Sequence, residues 1–439
     1  MSVNEKMTAL ADAIREKSGV TGKLTIDGMT SAVKAISSLI VASASGNPIV
    51  LNDSTDLRVQ SLRLFGKTTQ NGTPAPEAPV PLVSAGDGGS LGVTVAGKNL
   101  LKTYSEPKYR GITVDAMADG GFHIYGTATT DCYTGMSVEG IAEFSLPNGT
   151  YTVSLREPID FRCDLWDGDR GDSNAIRLTA GSVSNTRTIV AGNRFRFMAT
   201  IPGNKTVDFV VYPQLEVGST ATAYEPYKEL QTMNLSTPNG LPGIPVTSGG
   251  NYTDETGQQW VCDEVDFGRG VYMKRIFGTV FKNAAEWRIA GTKNGLKRFY
   301  TNQFMGVIKN AKDDATKECA LCSHFINVTA SDTWNEVTGI SVNSKGRLDI
   351  YYSGIEQTTA ALEVYFSSNP VAFMAELATP IETPLSAEEL AAYAALHTNY
   401  PNTTILNDGG AGMEVKYVAD TKNYIDNQIA AVAAAIVNA

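Results

Sequence analysis

Histidine is scarce in this sequence, at three among 439 residues. Catalysis built on imidazole bases therefore has few candidates. Cysteine is sparse too: the five cysteines are an odd number without disulfide-framework density, which points to a reducing place of synthesis. Charged residues make up only 19%, and the formal net charge is -10 with a pI near 5.0. No basic run could track phosphates, so no nucleic-acid partner is expected. No apolar run approaches the ~18 residues of a membrane-crossing helix. The opening MSVNEKMTAL lacks a basic region followed by an apolar one, so no signal peptide is read there. Also missing are G-x-S-x-G, H-E-x-x-H, the P-loop and the dinucleotide fingerprint. No enzyme is expected, and no cofactor.

What is present is apolar residues at 42%, 41 glycines and 18 prolines. That is a chain of short strands and many turns, long enough for two to four domains. The fold expected is mainly β: two jelly-roll-like β-sandwich domains in series, with an N-terminal helical pair and a C-terminal helix. Residues 1–45 read as a helical attachment module, since Val3, Met7, Leu10 and Ile14, then Met29, Val33, Ile36 and Ile40, recur at helical spacing. Residues 46–93 read as a strand and proline-rich connector, 94–230 as the first jelly-roll, and 231–254 as a Pro/Gly-rich connector. Residues 255–384 read as a second β-sandwich, with RFYTNQF, GRLDIYYSG and ALEVYFSS among its strands. Residues 385–439 read as helical segments. Ser386 and Glu389 form a capping box there. Ile425, Ile429, Val432 and Ile436 make a 4-3-4 seam suited to a short coiled coil, with a homotrimer expected.

The stretch LRLFGKTTQNGTPAPEAPVPLVSAG places Pro74, Pro76, Pro79 and Pro81 within eight residues. Prolines fix φ and remove amide donors, so the segment cannot sit in mid-sheet. It reads as a rigid connection between domains.

Three groups of residues are candidates for chemistry. Cys319 and Cys322 in CALC, with His324 nearby, read as ordinary buried thiols; a metal site or a redox dithiol is the alternative. DFRCDLWDGDRGDS carries Asp160, Asp164, Asp167, Asp169 and Asp172. It fails the EF-hand pattern, because loop position six from Asp167 is Asp172 and position twelve is Thr179. An irregular calcium loop stays open beside a solvated acidic loop. Trp166 in that polar loop is a large aromatic that could stack on a sugar ring. Asp164, Asp167, Asp169 and Arg170 would then fix the ring's orientation, with Tyr133 on the same surface and Tyr104 and Tyr109 as further lining. A glycosidase needs two poised carboxylates, which spacing alone does not pair.

Several segments resemble structural tail, baseplate or receptor-binding proteins of phages and prophages of Gram-positive bacteria. They are LRLFGKTTQNGTPAPEAPVPLVSAG, GKNLL with GFHIYGTATT, VVYPQLEVGSTATAYEPYK, and STPNGLPGIPVTSGGNYTDETGQQWVCDEVDFGRGVYMKRI. ALADAIREKSGVTGKLTIDGMTSAVKAI and YVADTKNYIDNQIAAV add to the likeness. Together they cover well over half the chain. The resemblance implies a symmetric multimer, typically a trimer, among other tail or baseplate proteins. It implies jelly-roll modules directed at host-surface saccharide, and synthesis in the bacterial host cytoplasm. The expected role is host attachment; the alternatives are a purely structural adaptor or a tail-associated glycan-degrading enzyme. The region from Trp287 to Pro384 lies outside the likeness.

Overall fold

The computed structural model describes residues 8, 11–12, 39–52, 61–292, 296–311, 320–329, 337–399 and 401–420. The N-terminal helical pair, apart from three helical positions at 8, 11 and 12, lies outside the described residues, as does the seam at Ile425, Ile429, Val432 and Ile436. The chain is mainly β, in several antiparallel sheets with few short helices. No helix among the described residues is long and apolar enough to cross a membrane.

The organising element is a seven-stranded sheet. Its order is Leu39–Gly46, Gly412–Asp420, Ser61–Phe65, Glu264–Asp266, Val271–Phe281, Val371–Pro384 and Ala320–Cys322. A four-stranded sheet packs on one half of it, in the order Gln231–Thr237, Gly89–Ala96, Thr403–Asn407 and Ile49–Leu51. Leu62, Leu64, Val265, Met413 and Val415 of the first meet Leu91, Val93, Val95, Leu235 and Ile405 of the second in one buried core. Alternation at these positions is what a half-buried strand requires. This host body therefore draws its strands from both ends and the middle of the chain.

Two corrections follow. The stretches read as connectors, 46–93 and 231–254, carry core strands of the host. The described residues of the tail read as helical, 385–439, hold one helix, Ala387–Ala394, and then two strands, Thr403–Asn407 and Gly412–Asp420. The capping box is present: Glu389 N–H donates to Ser386 Oγ at 3.2 Å, and Ser386 N–H to Glu389 Oε2 at 2.8 Å. Tyr393 of that helix stacks on Phe267 of the host, ring centroids 4.9 Å apart.

The first inserted body spans about 97–228 and has its own core, from Leu100 to Leu215, joined by Ala96 and Leu406 of the host. Strands read from GFHIYGTATT, GTYTVSLRE, NRFRFMATI and KTVDFVVYPQLEV stand at Phe122–Thr127, Gly149–Leu155, Gly192–Ile201, Thr206–Val211 and Pro213–Val217. Three sheets enclose this core; Phe122 of one stacks on Phe197 of another at 5.8 Å.

The second inserted body lies between the long strands Val271–Phe281 and Val371–Pro384. A four-stranded sheet, the helix Thr359–Ser368 and the strands Val271–Phe281, Val371–Pro384 and Ala320–Cys322 of the seven-stranded sheet share one core around Phe281, Trp287, Phe299, Phe304, Phe366 and Phe373. ALEVYFSS, read as a strand, belongs to that helix. Thr358 Oγ1 accepts from Ala361 N–H at 3.0 Å and caps it. Leu362, Tyr365 and Phe366, at helical spacing, are its buried face. Its β-branched and aromatic residues suit a strand equally well when read alone.

The proline strap is also corrected. It leaves and re-enters the host through Thr68–Thr69 paired with Val83–Ser84, so it joins no consecutive domains. Its tip lies on the second inserted body. Val80 N–H donates to Ser323 O at 2.8 Å, and Gln70 Nε2 to Cys322 O at 2.9 Å. Tyr352 and Tyr365 hydroxyls donate to Glu77 at 2.8 Å and to Pro76 O at 3.2 Å. Stiff backbone without amide donors suits a loop held by its carbonyls and side chains.

Candidate functional site

The sequence candidates converge on one sheet of the first inserted body. Arg162–Asp167 sits between Gly171–Leu178 and Gly192–Ile201, with Cys132–Tyr133 on the far edge. Cys163, Leu165, Ile176, Leu178, Phe195, Phe197, Ala199 and Ile201 belong to the core. Period-two alternation then places Tyr133, Arg162, Asp164, Trp166, Arg177, Arg196, Met198 and Thr200 on the opposite face. In register, Thr200 lies beside Tyr133 and Arg162, Met198 beside Asp164, and Arg196 beside Trp166.

The middle of this face is buried and its rim is not. Asp164 is 0% exposed, Arg196 2% and Met198 3%, whereas Arg162, Arg177 and Trp166 are partly exposed. Asp164 is held by Arg162 Nε at 2.7 Å and Arg177 Nε at 2.8 Å. Arg177 also pairs with Asp172. Arg196 Nη1 donates to Glu143 at 3.0 Å and reaches Glu139 at 3.1 Å, while Nη2 meets Met136 Sδ at 3.0 Å. Arg196 Nε and Thr200 Oγ1 are buried with no protein hydrogen-bond partner among the described residues. Leaving a buried donor or acceptor unmade costs about 1–3 kcal/mol. The Trp166 ring lies over Gly171, where an added Cβ would stand 3.4 Å from the indole. Gly171 has φ +58, and it is this left-handed backbone that favours glycine, since a Cβ at that distance would make only ordinary contact.

The remaining candidates have other positions. Asp167 is buried and builds the 167–171 turn. It accepts from Asp169 N–H at 2.8 Å, Arg170 N–H at 3.2 Å and Asn174 Nδ2 at 2.7 Å. Burial pushes its carboxyl up, but these hydrogen bonds outweigh that and hold it below the usual carboxylate range. Asp169 pairs with Arg194 at 3.3 Å, and Arg170 Nη1 donates to Ala191 O at 2.8 Å. The structure thus brings Tyr133, Asp164 and Trp166 onto one face, and leaves Asp167, Asp169 and Arg170 in the turn at its end. Tyr104 is core, donating to Phe197 O at 2.8 Å. Sequence reasoning missed Arg162, Arg177, Arg196 and Thr200. The alternation in NRFRFMATI was the available signal: Phe195, Phe197, Ala199 and Ile201 go inward, so Arg196 and Thr200 go out.

The aspartates meet arginines and amides, and no group of three or more His, Cys, Asp or Glu in metal-holding geometry occurs among the described residues. Cys322 is buried, which pushes its thiol up to about 11, and Cys319 lies outside the described residues. His324 Nδ1 is 2.8 Å from Ser323 Oγ, and burial lowers its pKa. No family model, no curated protein and no solved structure matches this chain.

Proposed function

We propose that this chain is a virion tail protein supporting host attachment, and that its first inserted body is a jelly-roll-type module holding cell-surface saccharide on the Trp166 face. The observation that carries the binding reading is the buried, unpartnered pair Arg196 Nε and Thr200 Oγ1 on the same face as a partly exposed indole. The two stand four residues apart on one strand, about 13 Å at ~3.3 Å per residue, so hydroxyls of different sugar units, one reaching each, would satisfy groups the protein leaves unmade. The indole would supply apolar contact to the ring's C–H face. The tail reading itself rests on the sequence resemblance, with synthesis in the bacterial cytoplasm, other tail proteins as partners and a trimer as the working assembly. Single open faces of this kind bind weakly, and several copies on one particle multiply the effect.

Binding is favoured over glycan cleavage by the state of the carboxylates. Asp164 is claimed by two arginines and Asp167 by a turn. The test is a sedimentation assay of the purified chain with Gram-positive cell walls, with reducing-sugar release followed in the same tubes. Wall binding without sugar release supports the reading. Sugar release would replace it with the enzyme, and no binding would replace it with the purely structural adaptor.

A further inference from the structure

A cleft of about 410 Å³ lies between the first inserted body and the four-stranded host sheet. That is within the ~300–1,000 Å³ of small-molecule sites, which favour junctions between domains. Leu100 and Leu146 of the inserted body and Leu406 of the host are its buried apolar lining, and the half-buried rings of Phe144 and Tyr227 stand beside them. Lys102, Asn193 and Glu229 also line it, all exposed, with no side-chain hydrogen bond or ion pair among the described residues. Burial, with Glu229 adding to it, pushes the Tyr227 phenol up to about 12, so it remains a donor at neutral pH.

The cleft adjoins the Trp166 face. Glu143 lines it and also holds Arg196, the cross-strand neighbour of Trp166. Asn193 lines it one residue before Arg194, whose guanidinium pairs with the same Glu143. We propose that this cleft is a second saccharide subsite continuous with the Trp166 face, taking the end of a neutral glycan whose inner units lie on that face. The inference rests on the saccharide reading of the face. The cleft's chemistry argues for the ligand class. Lys102 and Asn193 donate, Glu229 accepts, and two rings offer flat apolar contact. Sugar hydroxyls both donate and accept, and a pyranose has an apolar side for the rings. The exposed charges of the lining are Lys102 against Glu229 and Asp408, whose Oδ1 accepts from Gly92 N–H at 2.7 Å, so nothing in the cleft asks for an anionic ligand.

The experiment uses the full chain on an array of defined neutral oligosaccharides of hexose and N-acetylhexosamine, from dimers to hexamers. Trp166→Ala and the double variant Lys102→Ala/Glu229→Ala are compared with the parent, each checked by thermal unfolding. The expected result is that Trp166→Ala weakens every bound glycan. The double variant weakens only the longer chains, tenfold or more, with an unchanged thermal midpoint. Unchanged affinity of the double variant at every length overturns the cleft subsite and leaves the Trp166 face standing. Loss in the double variant without loss in Trp166→Ala overturns the continuity and the face together. An array on which the parent binds nothing overturns both.

Discussion

Asp164 and Trp166 stand two residues apart on the same face of the same strand, yet their surroundings assign them different work. Asp164 is fully buried between two guanidiniums. Replacing it by alanine leaves Arg162 without its carboxylate and Arg177 with only Asp172. Both arginines are partly solvated, so the cost is that of lost charge-assisted hydrogen bonds, about 1–3 kcal/mol. Urea unfolding of Asp164→Ala should show that loss as a lower midpoint. Asp254 gives a second test at this scale. It accepts from Trp260 Nε1 at 2.9 Å, Lys67 Nζ at 3.2 Å and Thr256 Oγ1 at 2.7 Å. Burial opposes ionisation, but these donors outweigh it and hold the carboxyl well below the usual range. A depressed folded pKa gives stability above the unfolded value, near ~4, that is lost as pH falls through the folded value. Asp254→Asn should therefore flatten the loss of stability below about pH 4, where parent and variant curves converge. A variant curve parallel to the parent's from pH 6 to 2 would contradict that role.

Among elements, the strap shows how a sequence signal can be right about conformation and wrong about connection. Four prolines required a segment outside any extended sheet, and it is one, though it reverses in a tight turn at Pro76–Glu77, where Ala75 and Ala78 exchange backbone hydrogen bonds. Its destination depended on Tyr352 and Tyr365, more than 270 residues further along, which no local pattern could announce. Glu77→Ala combined with Gln70→Ala removes two of the strap's side-chain contacts. Limited proteolysis should then cut between residues 70 and 82 faster than in the parent, while the β core stays intact. Equal cleavage rates would mean that the strap is held by its backbone alone. The helix Thr359–Ser368 teaches the same lesson in reverse. Its Val364, Tyr365 and Phe366 suit a strand, and only the cap at Thr358 and the partners of Leu362 and Phe366 decide for helix. By contrast several strands of the first inserted body were legible in the sequence, but Arg162–Asp167, which carries Trp166, read as part of a polar loop and is a strand buried on both faces at its centre. Trp166 was legible as an aromatic in need of a reason. The arginines around it were not, because their meaning depends on cross-strand register.

At the scale of the whole molecule, the chain is one host body with two insertions, and its first and last described strands are partners. Leu39 stands opposite Asp420 at the end of that strand pair. The host core needs residues from about 49 to 417, whereas the first insertion closes its own but for Ala96 and Leu406 of the host. Residues 97–228 expressed alone should unfold cooperatively in urea. Residues 255–384 alone should not, because Glu264–Asp266 would lose its partner strand Ser61–Phe65. Cooperative unfolding of the second fragment would contradict the insertion architecture. The central claim is that saccharide is held on the Trp166 face, and the most direct measurement is equilibrium binding of Trp166→Ala to Gram-positive cell walls beside its thermal midpoint. The account expects wall affinity to fall about tenfold or more, the equivalent of 1.4 kcal/mol or more, with the midpoint unchanged. Undiminished binding with an intact midpoint would contradict it, as would unfolding of the first inserted body.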